Sequence, residues 1–299
     1  LLSDDDLAAQ RAGGTFRDIA TLPDSTNSYS WILWLLAIQF IGLLAFPLGS
    51  IAFRPLAGCG YLLTKILGLL IVSFFAWFMA STGIMEFSRS SVIVSMAVLG
   101  VISGAIAWRN WNDLSEIVHK NGRLILLMEA IFLTAFFAYL LVRVANPDLW
   151  HPYRGGEKPM DFAYLNAVTR SSVMPPYDPW FAGGYMNYYY FGQFIVATMI
   201  RFTGIQPAVA FNLAIPMLFA MSAGAIFTIV YALAEGARKV MPGRPSLSAK
   251  GPIIAGLAAI LFVLVAGNID GLVQVVQGTA RVVFTDKAFG EFDFWRSSR

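Results

Sequence analysis

Two acidic residues in the middle of the chain are the best candidates for chemistry. Glu157 and Asp161 lie on either side of Pro159, a residue that suits the first turn of a helix. We therefore predict a short amphipathic helix over 160–170, with Asp161 near its positively polarised N-terminal end. On a membrane surface, both carboxylates would be partly desolvated and able to meet a lipid headgroup or a metal ion. The alternative is that they are solvated acids and a helix cap.

An aromatic, proline-rich segment follows these acids. Residues 175–180 read Pro-Pro-Tyr-Asp-Pro-Trp, which predicts a rigid extended turn around Asp178, and Gly183 permits backbone geometry that other residues resist. Residues 188–190 are three tyrosines, Tyr188, Tyr189 and Tyr190, that we expect to open the next helix. Successive helical residues point about 100° apart, so these tyrosines would not form one stacking face. An aromatic belt at the membrane interface is the alternative interpretation.

Other polar residues lie at the ends of apolar runs. Arg143 precedes the long loop 145–187, where its side chain can reach the interface or bind a phosphate. Asn268 and Asp270 lie within or at the end of the last apolar run. An acid inside a membrane span is a functional candidate, whereas an acid at the end of a span only marks where the helix terminates.

Composition indicates that lipid surrounds most of the chain. Hydrophobic residues make up 57% of the 299 and charged residues 13%, and the mean hydropathy is +0.64, a balance typical of membrane proteins. The net charge is +3, but the basic residues occur singly in short loops, which argues against nucleic-acid binding. The single cysteine, Cys59, excludes an internal disulfide, and two distant histidines, His119 and His151, argue against a His/Cys metal site.

Seven apolar runs predict the fold. Spanning about 30 Å of hydrocarbon takes roughly 20 apolar residues, and backbone groups in lipid must pair within a helix. We therefore predict an all-α, polytopic integral membrane protein of about seven transmembrane helices, in which a long extracytoplasmic loop carries the short amphipathic helix. The seven runs are 31–53, 65–82, 90–108, 124–144, 188–200, 208–233 and 252–276.

The same pattern divides the chain into segments. We expect a solvated segment, a four-helix membrane region, the functional loop, a three-helix membrane region and a truncated polar segment, over 1–30, 31–144, 145–187, 188–277 and 278–299. A chain that begins with Leu1 and closes with Phe-Trp-Arg-Ser-Ser-Arg at 294–299 looks like a fragment.

Topology is predicted from the positive residues, with the cytoplasmic membrane as the expected location. With the N-terminus outside, the first basic loops face the cytoplasm and the long loop faces out. If every later run spans, however, the loop of 238–250 falls outside, against the positive-inside rule. The 188–200 run is short enough to be re-entrant instead. The basic residues of these loops are Arg54, Lys65, Arg109, Lys120, Arg123, Arg238, Lys239, Arg244 and Lys250.

The ordered motifs of this chain resemble the Chlor-Arch-YYY membrane proteins, a domain of unknown function named for its triple tyrosine. The resemblance covers nearly all of the chain after Trp31. It rests on Asn146-Pro147-Asp148, Glu157 to Asp161, Pro175 to Trp180, Gly183, Asn187 to Gly192, Gly60-Tyr61 with Lys65 and Gly68, Ala210-Phe211-Asn212, Gly267-Asn268, and Phe294 to Arg299.

That family is similar to GT-C glycosyltransferases, membrane enzymes that move a sugar from a polyprenyl-phosphate donor. The resemblance implies that Asp161, with Glu157, is the catalytic acid pair and that one acid is the general base on an acceptor hydroxyl. It makes Arg143, Arg154 and Lys158 candidates for the phosphate, although each could instead bind lipid headgroups. Asp178 and the three tyrosines are further substrate-binding candidates, and a divalent cation is a candidate cofactor. Four helices before the acidic loop, where one is usual, depart from the GT-C pattern.

Three functions follow from these residues. The leading hypothesis is a GT-C-like glycosyltransferase or relative that acts on a lipid-linked sugar, with membrane lipid as its partner. The second is a transporter or lipid-handling protein whose polar cavity is lined by Asp270, Asn268 and the tyrosines. The third is a noncatalytic scaffold whose aromatic loop binds a partner.

Overall fold

The computed structural model describes residues 3–5, 8, 29–147, 149, 157–181, 183–240, 250–266, 269–285, 287, 288 and 290. Most of the predicted lead-in, Arg154, Arg244, Asn268 and the closing 294–299 lie outside these residues. Two compact units, Leu1–Gly224 and Ala225–Arg299, are described in turn.

The all-α fold is confirmed. Across the described residues the backbone forms helices and one isolated β-bridge, between Tyr177 and Tyr185, but no strand. The helices are α1 (Ser30–Ala52), α2 (Tyr61–Ser81), α3 (Arg89–Arg109), α4 (Trp111–Ala145), α5 (Lys158–Arg170), α6 (Phe191–Thr203), α7 (Pro207–Val240), α8 (Gly251–Ile260) and α9 (Ile269–Thr285). A 3₁₀ turn, Ala57–Gly60, leads into α2, and a π turn, Leu261–Val265, follows α8.

Five of these helices are long and apolar enough to cross a membrane, which makes the protein a multi-pass membrane protein. They are α1, α2 with its 3₁₀ turn, α3, α4 and α7. The predicted 188–200 run is not among them, because α6 has 13 residues and extends only about 20 Å. The predicted 252–276 run is divided between α8 with its π turn and the separate helix α9.

In the first unit, α6 lies against one end of the helix bundle formed by α1, α2 and α3. Tyr190, at its start, bonds to Trp77 near the end of α2, and Arg201, in its last turn, lies over Phe87 in the α2–α3 connection. Both ends of α6 are thus near the same end of the bundle. The starts of α1 and α7 and the end of α4 line one groove there, and we call this end the loop end.

The short α6 bears on the predicted topology of the first unit. With 13 residues it is too short to cross the membrane as a helix, so α7 is the next helix after α4 that is long enough to do so. In the predicted orientation with the N-terminus outside, Arg54 and Arg109, at the ends of α1 and α3, agree with the positive-inside rule.

Lys65 corrects the sequence interpretation, because it is not a loop residue that signals topology. It lies inside α2 and is only 2% exposed, with its Nζ 3.0 Å from Glu129 Oε2. Lys65 also donates to Gln39 Oε1, Gln39 donates to Glu129 Oε1, and the Tyr61 hydroxyl donates to Glu129 Oε2 at 3.0 Å. The Tyr61 and Phe132 rings each lie 5.0 Å from the ammonium group. One polar network therefore joins α1, α2 and α4.

Glycines let α1 and α2 approach closely enough to make this network. A Cβ on Gly42 would stand 2.7 Å from Lys65 Cγ, and one on Gly68 would stand 2.7 Å from the Ile41 carbonyl oxygen. Both distances are shorter than any real carbon contact. The small residues thus set the α1–α2 spacing, as they do in other membrane helix pairs.

In the second unit, Asp270 lies in the first turn of α9. Its carboxylate accepts a hydrogen bond from Gln274 Nε2 at 2.7 Å, one turn further on. Asp270 is therefore an acid at a helix start, where the helix dipole favours negative charge.

Removing the charge of Lys65 should destabilise the bundle, because the half-buried Glu129 carboxylate would be left without its cation. For Lys65→Met we expect the free energy of unfolding to fall by about 3–5 kcal/mol. The double variant Lys65→Met/Glu129→Met leaves no unpaired charge and should recover most of that loss. Denaturant unfolding in detergent measures both.

Lys120→Met is the matched control, because Lys120 pairs with Glu116 in the open, at 71% and 59% exposure. Its effect should stay below about 1 kcal/mol. Equal losses in the single and double Lys65 variants would show that the ion pair does not hold the helices together.

Candidate functional site

The predicted short helix is confirmed as α5, which begins at Lys158, two residues before the predicted start. Pro159 lies in its first turn, where a missing N–H costs nothing. The Asp161 amide donates to the Glu157 carbonyl oxygen at 2.9 Å, so Glu157 is the residue at which the helix starts. Both acids thus lie at the N-terminal end of α5.

The other end of α5 is fastened to the bundle. The Thr169 carbonyl oxygen accepts a hydrogen bond of 2.6 Å from Arg201 Nη2, and Arg201 is only 1% exposed. Its guanidinium lies 5.4 Å from the centroid of the Phe87 ring. The Phe87 amide in turn donates to the Ser172 carbonyl oxygen at 2.6 Å. These contacts fix the direction in which α5 presents its acids.

Asp161 occupies an environment that suits a base. Its side chain is partly buried, whereas Glu157 is exposed. Burial raises the pKa of Asp161 above its ordinary value, and the negative charge of Glu157 raises it further. Burial also raises the pKa of the Tyr164 phenol, with added effects from Asp178, Tyr188 and Asp161. The structure thus brings Glu157, Asp161, Tyr164, Asp178 and Tyr188 together, and we call this group the α5 site.

Asp178 holds the turn that covers α5. Its Oδ1 accepts from the backbone amides of Trp180 at 2.8 Å and Phe181 at 3.3 Å. The Asp178 amide donates to the Gly184 carbonyl oxygen at 2.9 Å. Gly183 has a φ of +81°, a backbone geometry that glycine adopts more easily than other residues, as predicted. Oδ1 of Asp178 is thus occupied by the hydrogen bonds that stabilise the turn. The predicted role of Asp178 in substrate binding stays a prediction.

The three tyrosines point in different directions. Tyr188 packs on Tyr164, with ring centroids 5.6 Å apart, while Tyr189 is 86% exposed. The Tyr190 hydroxyl accepts a hydrogen bond from Trp77 Nε1 at 2.8 Å. The expectation that they open the helix is wrong, because α6 begins at the next residue, with Tyr190 as its cap. Because the three tyrosines precede the first residue of α6, helical spacing does not set the directions of their rings.

Beside the tyrosines lies an aromatic cleft with a volume of about 440 Å³. Its walls come from α2 and from the start of α6, namely Phe74, Trp77, Tyr188, Tyr189, Tyr190 and Phe191. Among the three tyrosines, only Tyr188 therefore belongs both to this cleft and to the α5 site.

The predicted phosphate-binding residues are divided by the structure. Lys158 opens α5 and is partly buried near the acids, and Arg154 lies outside the described residues. Arg143 lies in the last turn of α4, where its Nε donates to Asn212 Oδ1 at 2.9 Å. Asn212 is a residue of α7, so Arg143 joins two helices.

The Arg143 region adjoins the α5 site. Phe162, next to Asp161, meets Phe211, next to Asn212, with ring centroids 5.9 Å apart and nearly perpendicular. The loop acids and the arginine are therefore on neighbouring surfaces at the loop end.

Sequence reasoning missed several polar residues of the interior. Lys65 and Glu129 could have been found because each is a charge within an apolar run, and Arg201 because it ends a short one. Nothing in the sequence indicated Tyr164 or the partnership of Arg143 with Asn212. Within the described ranges, no three His, Cys, Asp or Glu side chains converge as a metal site.

Comparison with known proteins gives one family match. The model of a family described as "Uncharacterized membrane protein (DUF2298)" matches residues 71–299. The matched region contains α5, the turn around Asp178, the tyrosines and Arg143. No curated protein and no solved structure matches the chain.

Changing Glu157→Gln should lower the pKa of Asp161, because the repulsion between the two carboxylates is removed. The pKa should remain above 3.8, since burial is the larger cause of the shift and is unchanged. Carbon-13 NMR titration of labelled aspartates, with Asp161 assigned by its loss in Asp161→Asn, measures this. Asp113→Asn, at the start of α4, should leave the titration unchanged, and an unmoved Asp161 in Glu157→Gln would contradict the coupling.

Proposed function

Because the chain belongs to the uncharacterized membrane protein family DUF2298, whose description states no activity, we propose a function from the α5 site itself. The protein is a GT-C-like membrane glycosyltransferase or a relative of one. It transfers a sugar from a polyprenyl-phosphate donor to an acceptor hydroxyl at the outer face of the cytoplasmic membrane. The positive residues on the opposite side of the membrane support that orientation.

The position of Asp161 carries this proposal. A carboxylate with a raised pKa holds a proton more strongly than an ordinary one, which makes it a better general base. It is partly buried at the surface of a membrane protein, so a hydroxyl group can reach it while bulk water is partly excluded. Burial is the main cause of the raised pKa of Asp161, and the charge of the exposed Glu157 raises it further.

The proposed reaction uses Asp161 as follows. The acceptor oxygen attacks the anomeric carbon of the donor sugar while its proton passes to Asp161. The bond between the anomeric carbon and the phosphate oxygen breaks, and the phosphate leaves with the electron pair. Lys158, at the start of the same helix, and Arg143 are the described cations that can neutralise that charge.

A divalent cation would fit this site in part. Mg²⁺ is held in many enzymes by one or two carboxylates together with substrate phosphates, and Asp161 with Glu157 supplies such a pair. The cation would neutralise phosphate charge. The roles given to Asp161 and Lys158 do not depend on it.

A lipid-handling protein without transfer activity is the second candidate. It is favoured by a groove of about 430 Å³ at the loop end, in which apolar side chains surround Arg143. In that case the α5 acids would shape the entrance without taking a proton. Asp161 separates the two candidates, because only the transferase needs its carboxylate.

Replacing Asp161 with Asn should abolish transfer of a labelled sugar by the full-length protein. The isosteric amide keeps the shape of the site but cannot accept the proton, so we expect a loss of about 10²–10⁴-fold. Transfer from a radiolabelled polyprenyl-phosphate sugar in membranes measures the loss. Asp113→Asn is the control, since Asp113 is 60% exposed beside Arg54 at the other end of α4. Unchanged transfer by Asp161→Asn would contradict the assignment of Asp161 as the general base.

A further inference from the structure

A groove at the loop end contains an arginine in a mostly apolar surface. It lies between α1, α4 and α7 and has a volume of about 430 Å³. Its lining includes Trp31, Leu140, Arg143, Ala208, Asn212 and Leu213. We infer that this groove binds a lipid monophosphate, with the phosphate at Arg143 and the first carbons of the chain along the apolar walls. The inference deepens the proposed function, because it supplies the site at which the lipid part of the donor is held.

Arg143 is a buried cation held by a neutral partner. It is 8% exposed, and its Nε and Nη2 both donate to Asn212 Oδ1. Among the described residues, no carboxylate lies within ion-pair distance of it. A buried charge without a counter-ion is costly, so an anionic ligand that supplies one is bound strongly.

Asn212 orients the guanidinium toward the groove. Its Nδ2 donates to the Pro147 carbonyl oxygen at 3.2 Å and to the Ala208 carbonyl oxygen at 3.1 Å, which leaves Oδ1 for Arg143. The Nη1 of Arg143 has no hydrogen-bond partner among the described residues. Its fork of donors matches phosphate oxygens better than a lysine would.

The walls select a lipid in preference to a free anion. Apart from Arg143, the groove is lined mainly by aliphatic and aromatic carbon, with Trp31 37% exposed at its edge. Such a surface gains free energy by covering an apolar chain and gains nothing from an inorganic ion. The groove also lies at the ends of membrane-crossing helices, where lipid headgroups meet water.

The position of the groove suits the proposed reaction. Phe162 and Phe211 place the start of α5 beside the start of α7, so a phosphate at Arg143 is held next to the surface that carries Asp161. A leaving phosphate would thus remain bound while the proton moves to the α5 site.

The test is competition for tritiated farnesyl phosphate bound to the purified protein in detergent. Unlabelled farnesyl phosphate should compete at least about tenfold better than farnesol, because a charge-assisted hydrogen bond contributes that much. Inorganic phosphate should compete far more weakly. Equal competition by farnesol, or by inorganic phosphate, would overturn the inference.

Two variants test the charge and the walls separately. Arg143→Gln should remove the preference for farnesyl phosphate over farnesol, while Arg109→Gln, an exposed arginine at the opposite end of the bundle, should keep it. Ala208→Trp fills the groove from an exposed position in the first turn of α7 and keeps Arg143. It should weaken farnesyl phosphate binding about tenfold or more, and unchanged binding by this variant would place the lipid elsewhere.

The lipid site and the transfer activity can fail independently. Asp161→Asn should bind farnesyl phosphate normally while losing transfer. If Asp161→Asn retains transfer, the proposed function fails although the groove stands. If Arg143→Gln retains the phosphate preference, the groove assignment fails although Asp161 can still be the base.

Discussion

The ion pair between Lys65 and Glu129 is the interaction on which the bundle depends. Two charges in the low-dielectric interior of membrane helices are tolerated only when each satisfies the other. Here the pair recruits Gln39 and Tyr61, so α1, α2 and α4 are fixed in one register. Gly42 makes room for the pair, because a Cβ at that position would stand 2.7 Å from Lys65 Cγ.

That register defines the surface on which α5 and α6 rest. The buried face of α6 fills the end of the bundle, and Arg201 uses its charge to hold the carbonyl end of α5. Fastening α5 at its C-terminal end leaves its first turn, with Asp161 and Glu157, at the boundary between protein and solvent. A carboxylate there is partly desolvated yet still accessible, and a general base requires both properties.

The loop end therefore combines two different environments. One is an acidic, aromatic surface formed by α5 and the turn around Asp178. The other is an apolar groove that contains a single guanidinium. An amphiphilic molecule with a polar group and a long chain can meet both environments at once, and a water-soluble sugar phosphate would meet only the first.

The sequence by itself determined where most helices lie and where the long loop 145–187 interrupts them. Hydrocarbon thickness sets the length of a spanning run, and in lipid the backbone groups must pair within a helix. Pro159 likewise predicted the start of α5 to within two residues, since proline is compatible with the first turn alone. Local chemistry was sufficient for these features.

Only the tertiary structure decided the rest, because it depends on contacts between distant segments. The sequence left the 188–200 run open between a span and a re-entrant segment, and the structure shows a 13-residue helix there that packs against α1, α2 and α3. The hydrogen bond from Trp77 sets the direction of Tyr190 across a separation of 113 positions. The hydrogen bond to Asn212 sets the direction of Arg143 across 69 positions. No periodicity in a single segment encodes such pairs.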